Sequence, residues 1–198
     1  MSSFQRTRTP SLEVTDSLVD AALTLIEESG LGALTVRSVA ARAGVAPMGV
    51  YSRFGNKDGL LEAIFVRGFE ALQAAIEIPP TSSPLLRLQA GCLAYRQFAI
   101  DNPQLYHVMF EQMMLLELSP EAKIAAKGSF ATLVDRVHAA MDSGGLASGD
   151  STEVAQQIWS AIHGAVSLEI AGVHFAHDRE ANFAAMVQSL LRGLAQAD

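Results

Sequence analysis

The side chains best suited to holding a polyanion crowd into one short stretch, Gly44 to Leu60, which reads GVAPMGVYSRFGNKDGL. Tyr51, Arg53 and Lys57 place a phenol, a guanidinium and an ammonium within seven residues, a set that serves phosphate oxygens. From Thr35 to Lys57 the chain carries Arg37, Arg42, Arg53 and Lys57 and no acid, although its formal net charge is −7. Four glycines and a proline in the same 17 residues favour a loop by propensity. Something must therefore hold so broken a segment in a fixed arrangement.

The flanking sequence supplies that frame. Leu18, Ala21, Ala22, Leu25 and Ile26 recur at helical spacing, with Gly30 as a C-terminal stop. Thr35 suits the N-cap of a short second helix, VRSVAARA, whose Val36, Val39, Ala40 and Ala43 share one face before Gly44 ends it. Pro47 fits the first turn of a third helix, where its missing N–H would have no partner anyway. Asn56 caps a fourth, with Leu60, Leu61, Ile64, Phe65, Phe69 and Leu72 on its apolar stripe. PPTSSP, Pro79 to Pro84, interrupts the chain; beyond it the pattern predicts helices at Leu85–Asp101, Pro103–Leu118, Pro120–Ser143, Ser151–Val173 and Arg179–Gln196. No alternating run of β-branched residues argues for a sheet. The expected fold class is all-α, with a three-helix head over residues 1–66 and a helical bundle over residues 67–198.

The second and third helices, joined by a glycine-containing turn, make a helix-turn-helix. Ala40 and Ala43 are small enough for the helices to cross, Val39, Val45, Val50 and Phe54 form the seam, and Pro47, Met48, Tyr51 and Ser52 remain on the outward face. A helix N-terminus of this kind presents unpaired N–H groups and partial positive charge, both suited to phosphate. Gly49 costs about 1 kcal/mol relative to alanine within a helix, and its use is close approach of backbone to a ligand. Double-stranded DNA has the right shape. Met48 offers apolar contact to a thymine methyl, and Ser52 and Arg53 can reach base edges or phosphates. Phe54 reads as core and Arg42 as an ordinary solvated charge.

The run LTLIEESGLGALTVRSVAARAGVAPMGVYSRFGNKDGLLEAIF resembles the DNA-binding head of the tetracycline-repressor (TetR) family of bacterial regulators, over roughly residues 12 to 66. Glycine-capped helix, leucine-threonine entry, alanine-glycine-valine turn, tyrosine and phenylalanine three apart, and a lysine opening the next helix all occur in order. The resemblance implies that the third helix enters the major groove, that Tyr51 and Lys57 touch phosphates, and that Thr35 with Arg37 anchors the start of the second helix to the DNA backbone. The chain departs from the common pattern at Ala46, where a serine N-cap is usual, and at Gly49, where a small side chain is usual; Gly49 is accordingly given a backbone role only.

In the body, Tyr106, Met109, Phe110, Met113 and Met114 form a stripe on one helix that suits either a core or an adaptable apolar pocket, with Tyr95 and Phe98 on the preceding helix. Trp159, His163 and Gly164 spell W-x-x-x-H-G, and together with the run from Asn102 to Phe110 this resembles a C-terminal domain of some TetR members, named for its Trp, His and Gly. Trp159 and His163 lie one turn apart on one face, where the histidine suits a structural hydrogen bond as well as ligand contact, and Gly164 permits close helix approach. Val154, Ile158, Ile162, Val166 and Ile170 repeat every four residues, and Phe183, Val187, Leu190 and Leu194 nearly so; these stripes face either their own core or a second subunit in a four-helix interface.

Other chemistries find little support. His174 and His177 lack the companions a metal needs, Cys92 reads as a small buried residue with no internal disulfide partner, and no nucleophile elbow or phosphate loop occurs, so neither enzyme activity, metal nor cofactor is expected. The longest uncharged apolar-leaning run, Val154 to Leu168, is 15 residues and too short for a membrane span, and the N-terminus has no secretory h-region, so a cytoplasmic location is expected. Residues 1–66 hold six basic and seven acidic groups, and the strongly acidic remainder argues against indiscriminate nucleic-acid binding. The sequence thus points to a homodimeric regulator, most simply a repressor, that binds a palindromic duplex operator and answers to a small apolar or amphipathic effector. The alternative is a ligand-binding or scaffolding protein that has lost operator binding.

Overall fold

The computed structural model describes residues 11–80, 83–112 and 117–195. Among them the chain forms α1 (Ser11–Ser29), a 3₁₀ turn (Leu31–Ala33), α2 (Val36–Arg42), α3 (Pro47–Phe54), α4 (Lys57–Ala75), α5 (Pro84–Asp101), α6 (Pro103–His107) continuing into a π-helical turn (Val108–Gln112), α7 (Pro120–Asp142), α8 (Ser151–Ile170) and α9 (Arg179–Gly193). No strand occurs among the described residues, and none of their helices is long and apolar enough to cross a membrane.

Local chemistry sets the head. Thr35 Oγ1 accepts from the Ser38 N–H at 3.0 Å while Ser38 Oγ accepts from the Thr35 N–H at 2.9 Å, a reciprocal cap that starts α2. Gly44 (φ 66°) and Gly55 (φ 71°) adopt the left-handed backbone that ends α2 and α3. Asn56 Oδ1 accepts from the Gly59 N–H at 2.9 Å and opens α4. That start is so tight that a Cβ on Gly59 would lie 2.0 Å from the Phe54 carbonyl oxygen. Leu18, Ala22 and Ile26 of α1 pack with Val39, Val50, Leu60 and Ile64 to bury the head's core. Arg67 of α4 pairs with Asp16 and, at 3.2 Å, with Asp20 of α1, on the outside of that core.

The body packs α7 and α5 against α4, which runs unbroken across position 66, and α8 packs in turn on α5 and α7. Arg96 of α5 and Glu169 of α8 share two hydrogen bonds of 2.9 and 2.7 Å, both side chains nearly buried, and the guanidinium lies 5.8 Å from the Phe183 ring of α9. The regular helix expected over Pro103–Leu118 is interrupted by the π-helical turn at Val108–Gln112. The apolar stripes of α8 and α9 turn inward: Ile158, Ile162, Val166, Phe183 and Val187 are buried within their own chain.

Two glycines within the helices separate sharply by their surroundings. A methyl at Gly59 meets a backbone carbonyl, whereas at Gly49 the nearest atoms would be 3.8 Å away, ordinary contact. Gly59→Ala is expected to lose about 1–3 kcal/mol of stability from overpacking, and Gly49→Ala to gain about 0.5–1 kcal/mol from helix propensity, both measured by urea unfolding of the purified protein.

Candidate nucleic-acid interface and cavity

The outward face of α3 is open to solvent. Met48 is 73% exposed and Tyr51 48%, and Pro47 and Ser52 beside them are exposed as well. Thr35 and Arg37 at the start of α2 and Lys57 at the start of α4 flank this face, all three exposed. Gly49 and Arg53 are half-buried. The Gly49 carbonyl accepts from Ser52 Oγ at 3.1 Å and from Arg53 Nη1 at 2.9 Å, so Arg53 folds back along its own helix, and its Nε is buried without a partner. Ala46 gives α3 no side-chain cap.

The acid-free stretch is less positive in space than in sequence. Arg42, expected to be solvated, forms a two-pronged pair with Glu28 of α1, one bond being 3.0 Å, and its hydrogen bonds hold the Glu28 carboxyl below its ordinary range. Arg37 and Lys57 are exposed cations at the starts of α2 and α4, the helices on either side of α3 in the chain.

The body holds a partly open cavity of about 570 Å³ between α4, α5, α7, α8 and the π-helical turn, a volume typical of small-molecule sites. Tyr95, Met109, Phe110, Trp159 and His163 line it. Tyr106 stands behind this lining as part of a polar cluster: its hydroxyl lies 2.9 Å from the Tyr95 hydroxyl and 2.6 Å from His163 Nδ1, and Tyr95 is 3.0 Å from the same nitrogen. Burial raises the pKa of both phenols, so both stay protonated and bring two O–H groups to the cluster. Phe98 is buried but does not border the cavity, and Met113 lies outside the described residues.

Most of the remaining lining was not read from the sequence. Phe65, Phe69 and Leu72 come from α4, whose stripe looked like ordinary core, Ile76 from the C-cap of that helix, and Phe130, Leu133 and Arg136 from α7. The π-helical turn sets Met109 against Gly68 of α4, where a Cβ would lie 2.7 Å from its sulfur, and Phe110 against Trp159 and His163, ring centroids 6.4 and 4.8 Å away. A π-turn of this type is frequent at binding sites.

Both the head and the body match known families. Residues 18–64 match the model described as bacterial regulatory proteins of the tetR family, and residues 88–190 the model described as tetracyclin repressor-like, C-terminal domain. The chain belongs to the TetR family of bacterial regulators. Among its relatives is the uncharacterised helix-turn-helix transcriptional regulator Rv0681 of Mycobacterium tuberculosis, 29% identical over 90% of this chain and 80% of that protein. Another is the transcriptional repressor KstR of Rhodococcus jostii, 31% identical over 62% of this chain and 56% of that protein. A protein of unknown function from Rhodococcus sp. RHA1 has the same fold, with a TM-score of 0.85, 24% identity and coverage of 99% of this chain and 100% of that one. As a TetR-family member the chain is a DNA-binding transcription regulator rather than an enzyme. Among its described residues no three His, Cys, Asp or Glu side chains gather to hold a metal.

Burial also lowers the pKa of His163, against a weaker opposing pull from Glu111. The unfolded chain then binds this proton more readily than the folded one, so His163 adds stability above its unfolded pKa that is lost as the pH falls toward the folded value. Unfolding free energies from urea titrations should drop between about pH 7 and pH 5, and by less in His163→Asn, which keeps a hydrogen-bond acceptor but does not titrate.

Proposed function

We propose that this protein is a homodimeric cytoplasmic repressor that reads a two-fold symmetric operator with α3 and changes its DNA affinity when a small apolar or amphipathic molecule enters the body cavity. The reading rests chiefly on the face of α3. An exposed methionine and a half-exposed tyrosine stand on a short helix without a contact of their own to stabilise, flanked by Thr35, Arg37 and Lys57. A methyl at Gly49 would fit the fold, so its absence favours approach of another molecule to the helix backbone. Pro47, Met48 and Ser52 face the base edges in this reading, Arg53 swings out from the Gly49 carbonyl to a base or phosphate, and Tyr51, Lys57, Thr35 and Arg37 hold the DNA backbone.

Residues 1–66 act as the DNA-binding head and residues 67–198 as the ligand-binding and dimerising body. The effector meets Tyr95, Met109, Phe110, Trp159 and His163 directly, with Tyr106 behind them. Because α4 begins at Lys57 and borders the cavity through Phe65, Phe69, Leu72 and Ile76, a ligand that fits one tilt of α4 better than another shifts the head. Repression is supported by KstR, a relative that carries the name of repressor.

Since the apolar stripes of α8 and α9 are used internally, the homodimer falls to the opposite faces of these helices. There Ser160, Gly164 and Leu168 of α8 are exposed, Leu168 by 54%, and nothing lies within 4 Å of a Cβ placed on Gly164. The close helix approach that this glycine permits has no occupant within the chain.

Selection of bound fragments from random duplex DNA should enrich a palindrome; no enrichment at low salt by an intact dimer would refute operator binding. With the selected duplex, Lys57→Ala should lower the slope of log affinity against log salt by about 1 while leaving sequence preference unchanged. Gly164→Arg, for which the single chain has room, should shift the mass measured by light scattering from dimer to monomer without lowering helicity.

A further inference from the structure

The cavity lining contains no aspartate or glutamate, yet it contains Arg136 and Lys127. Arg136 is only 6% exposed. Its guanidinium crosses α5 at Gly91, where a Cβ would lie 2.2 Å from Nη1, so the glycine leaves the space that the arginine fills. Nη2 donates to the Ile76 carbonyl at the end of α4, and Nε is buried with no partner. No carboxylate pairs with it among the described residues. Arg136 also borders a second, outer cleft that Glu77 and Asp135 line, but neither carboxylate bonds to it, and Glu77 is engaged by Arg87 at 3.1 Å. Cys92, beside it on the cavity wall, is a thiol that burial holds neutral, its pKa pushed up to about 12. A guanidinium cannot shed its proton to escape this position, and one left without an anion is costly to bury.

The other polar groups on the wall behave differently. Tyr95 and His163 satisfy one another through Tyr106, so that end of the cavity asks for no charge. Between it and Arg136 the wall is aromatic and aliphatic, with Phe65, Phe69, Phe110, Phe130 and Trp159. A wall that carries two cations, Arg136 and the solvent-exposed Lys127, no carboxylate, and otherwise chiefly hydrocarbon is complementary to a molecule with one anionic head and an apolar remainder.

We propose that the effector is an amphipathic monocarboxylic acid, its carboxylate paired with Arg136 and its hydrocarbon part packed against the aromatic wall toward Trp159. This rests on the effector-binding reading and specifies its ligand class. Burial and the nearby charge of Arg87 lower the pKa of Arg136 and outweigh the opposing pull of Glu77 and Cys92, the direction of a cation incompletely compensated by its neighbours. An incoming carboxylate supplies that counter-ion, and the bond to Ile76 places it at the end of α4, the helix whose other end carries Lys57.

Trp159 is the single tryptophan of the chain and faces the cavity, so its fluorescence reports occupancy directly. The probes are the straight-chain acids from hexanoate to hexadecanoate, each below its micelle-forming concentration, with the alcohol and the methyl ester of the same length as uncharged controls. On the full-length wild-type dimer, at least one acid should bind about tenfold or more tighter than its alcohol and ester. Arg136→Gln should abolish that preference, with Arg136→Lys retaining part of it; the wild-type comparison stands by itself if Arg136→Gln fails to fold. Equal binding of acid, alcohol and ester would overturn the carboxylate site and leave the effector cavity intact. Absence of binding by every probe would overturn both.

Discussion

Helix α4 buries one continuous stripe against two different partners, and the rest of the molecule is arranged around that demand. Its first turns place Leu60 and Ile64 under α1 and α3, while Phe65, Phe69, Leu72 and Ile76 border the body cavity. At 19 residues it is about 28 Å long. No break separates the two halves, so the head cannot reorient against the body without either tilting α4 or opening the apolar contacts along it. Arg67 resists the second course at the head end, where it grips Asp16 and Asp20 of α1. A change in the shape of the cavity is therefore most cheaply relieved by moving α4 and the head as one piece.

The body's polar groups divide according to whether they already have partners. Tyr95, Tyr106 and His163 form a closed set, and Arg96 with Glu169 forms another, with Phe183 beneath it. Such satisfied groups fix one packing of α5, α6, α8 and α9 around the cavity. Arg136 belongs to neither set. It contributes one hydrogen bond to the end of α4 and otherwise brings charge to a largely apolar wall.

What could be read from the sequence was what neighbours in sequence determine. Thr35, Asn56 and Pro47 start their helices by interactions within one turn, and the all-α fold and the outward face of α3 follow from such caps and from helical spacing. Residues that meet across the fold were harder. Arg42 looked like a free cation because Glu28 is 14 positions away on another helix, and Arg136 drew no attention because Ile76 and Gly91 are distant from it in the chain. The stripe on α8 was ambiguous in principle, since spacing shows that one face is apolar and not which neighbour covers it. Gly68 likewise carries no signal until Met109 is seen to occupy the place of its side chain.

The helix-interior glycines sharpen this distinction between internal and external demands. Each costs up to about 1 kcal/mol relative to alanine, so each needs a reason. At Gly59, Gly68 and Gly91 the reason lies inside the chain, where the Phe54 carbonyl, the Met109 side chain and the Arg136 guanidinium would each come within 3 Å of an added Cβ. At Gly49 and Gly164 the chain itself gives none: the first has only ordinary contacts and the second has nothing within 4 Å. Both lie on faces that the monomer leaves open, one toward DNA and one toward a second subunit in the proposed function. An atom that folding would welcome or ignore is missing at the two places where another molecule's backbone is expected to come close, and that coincidence ties the head and the dimerising face to the same physical requirement.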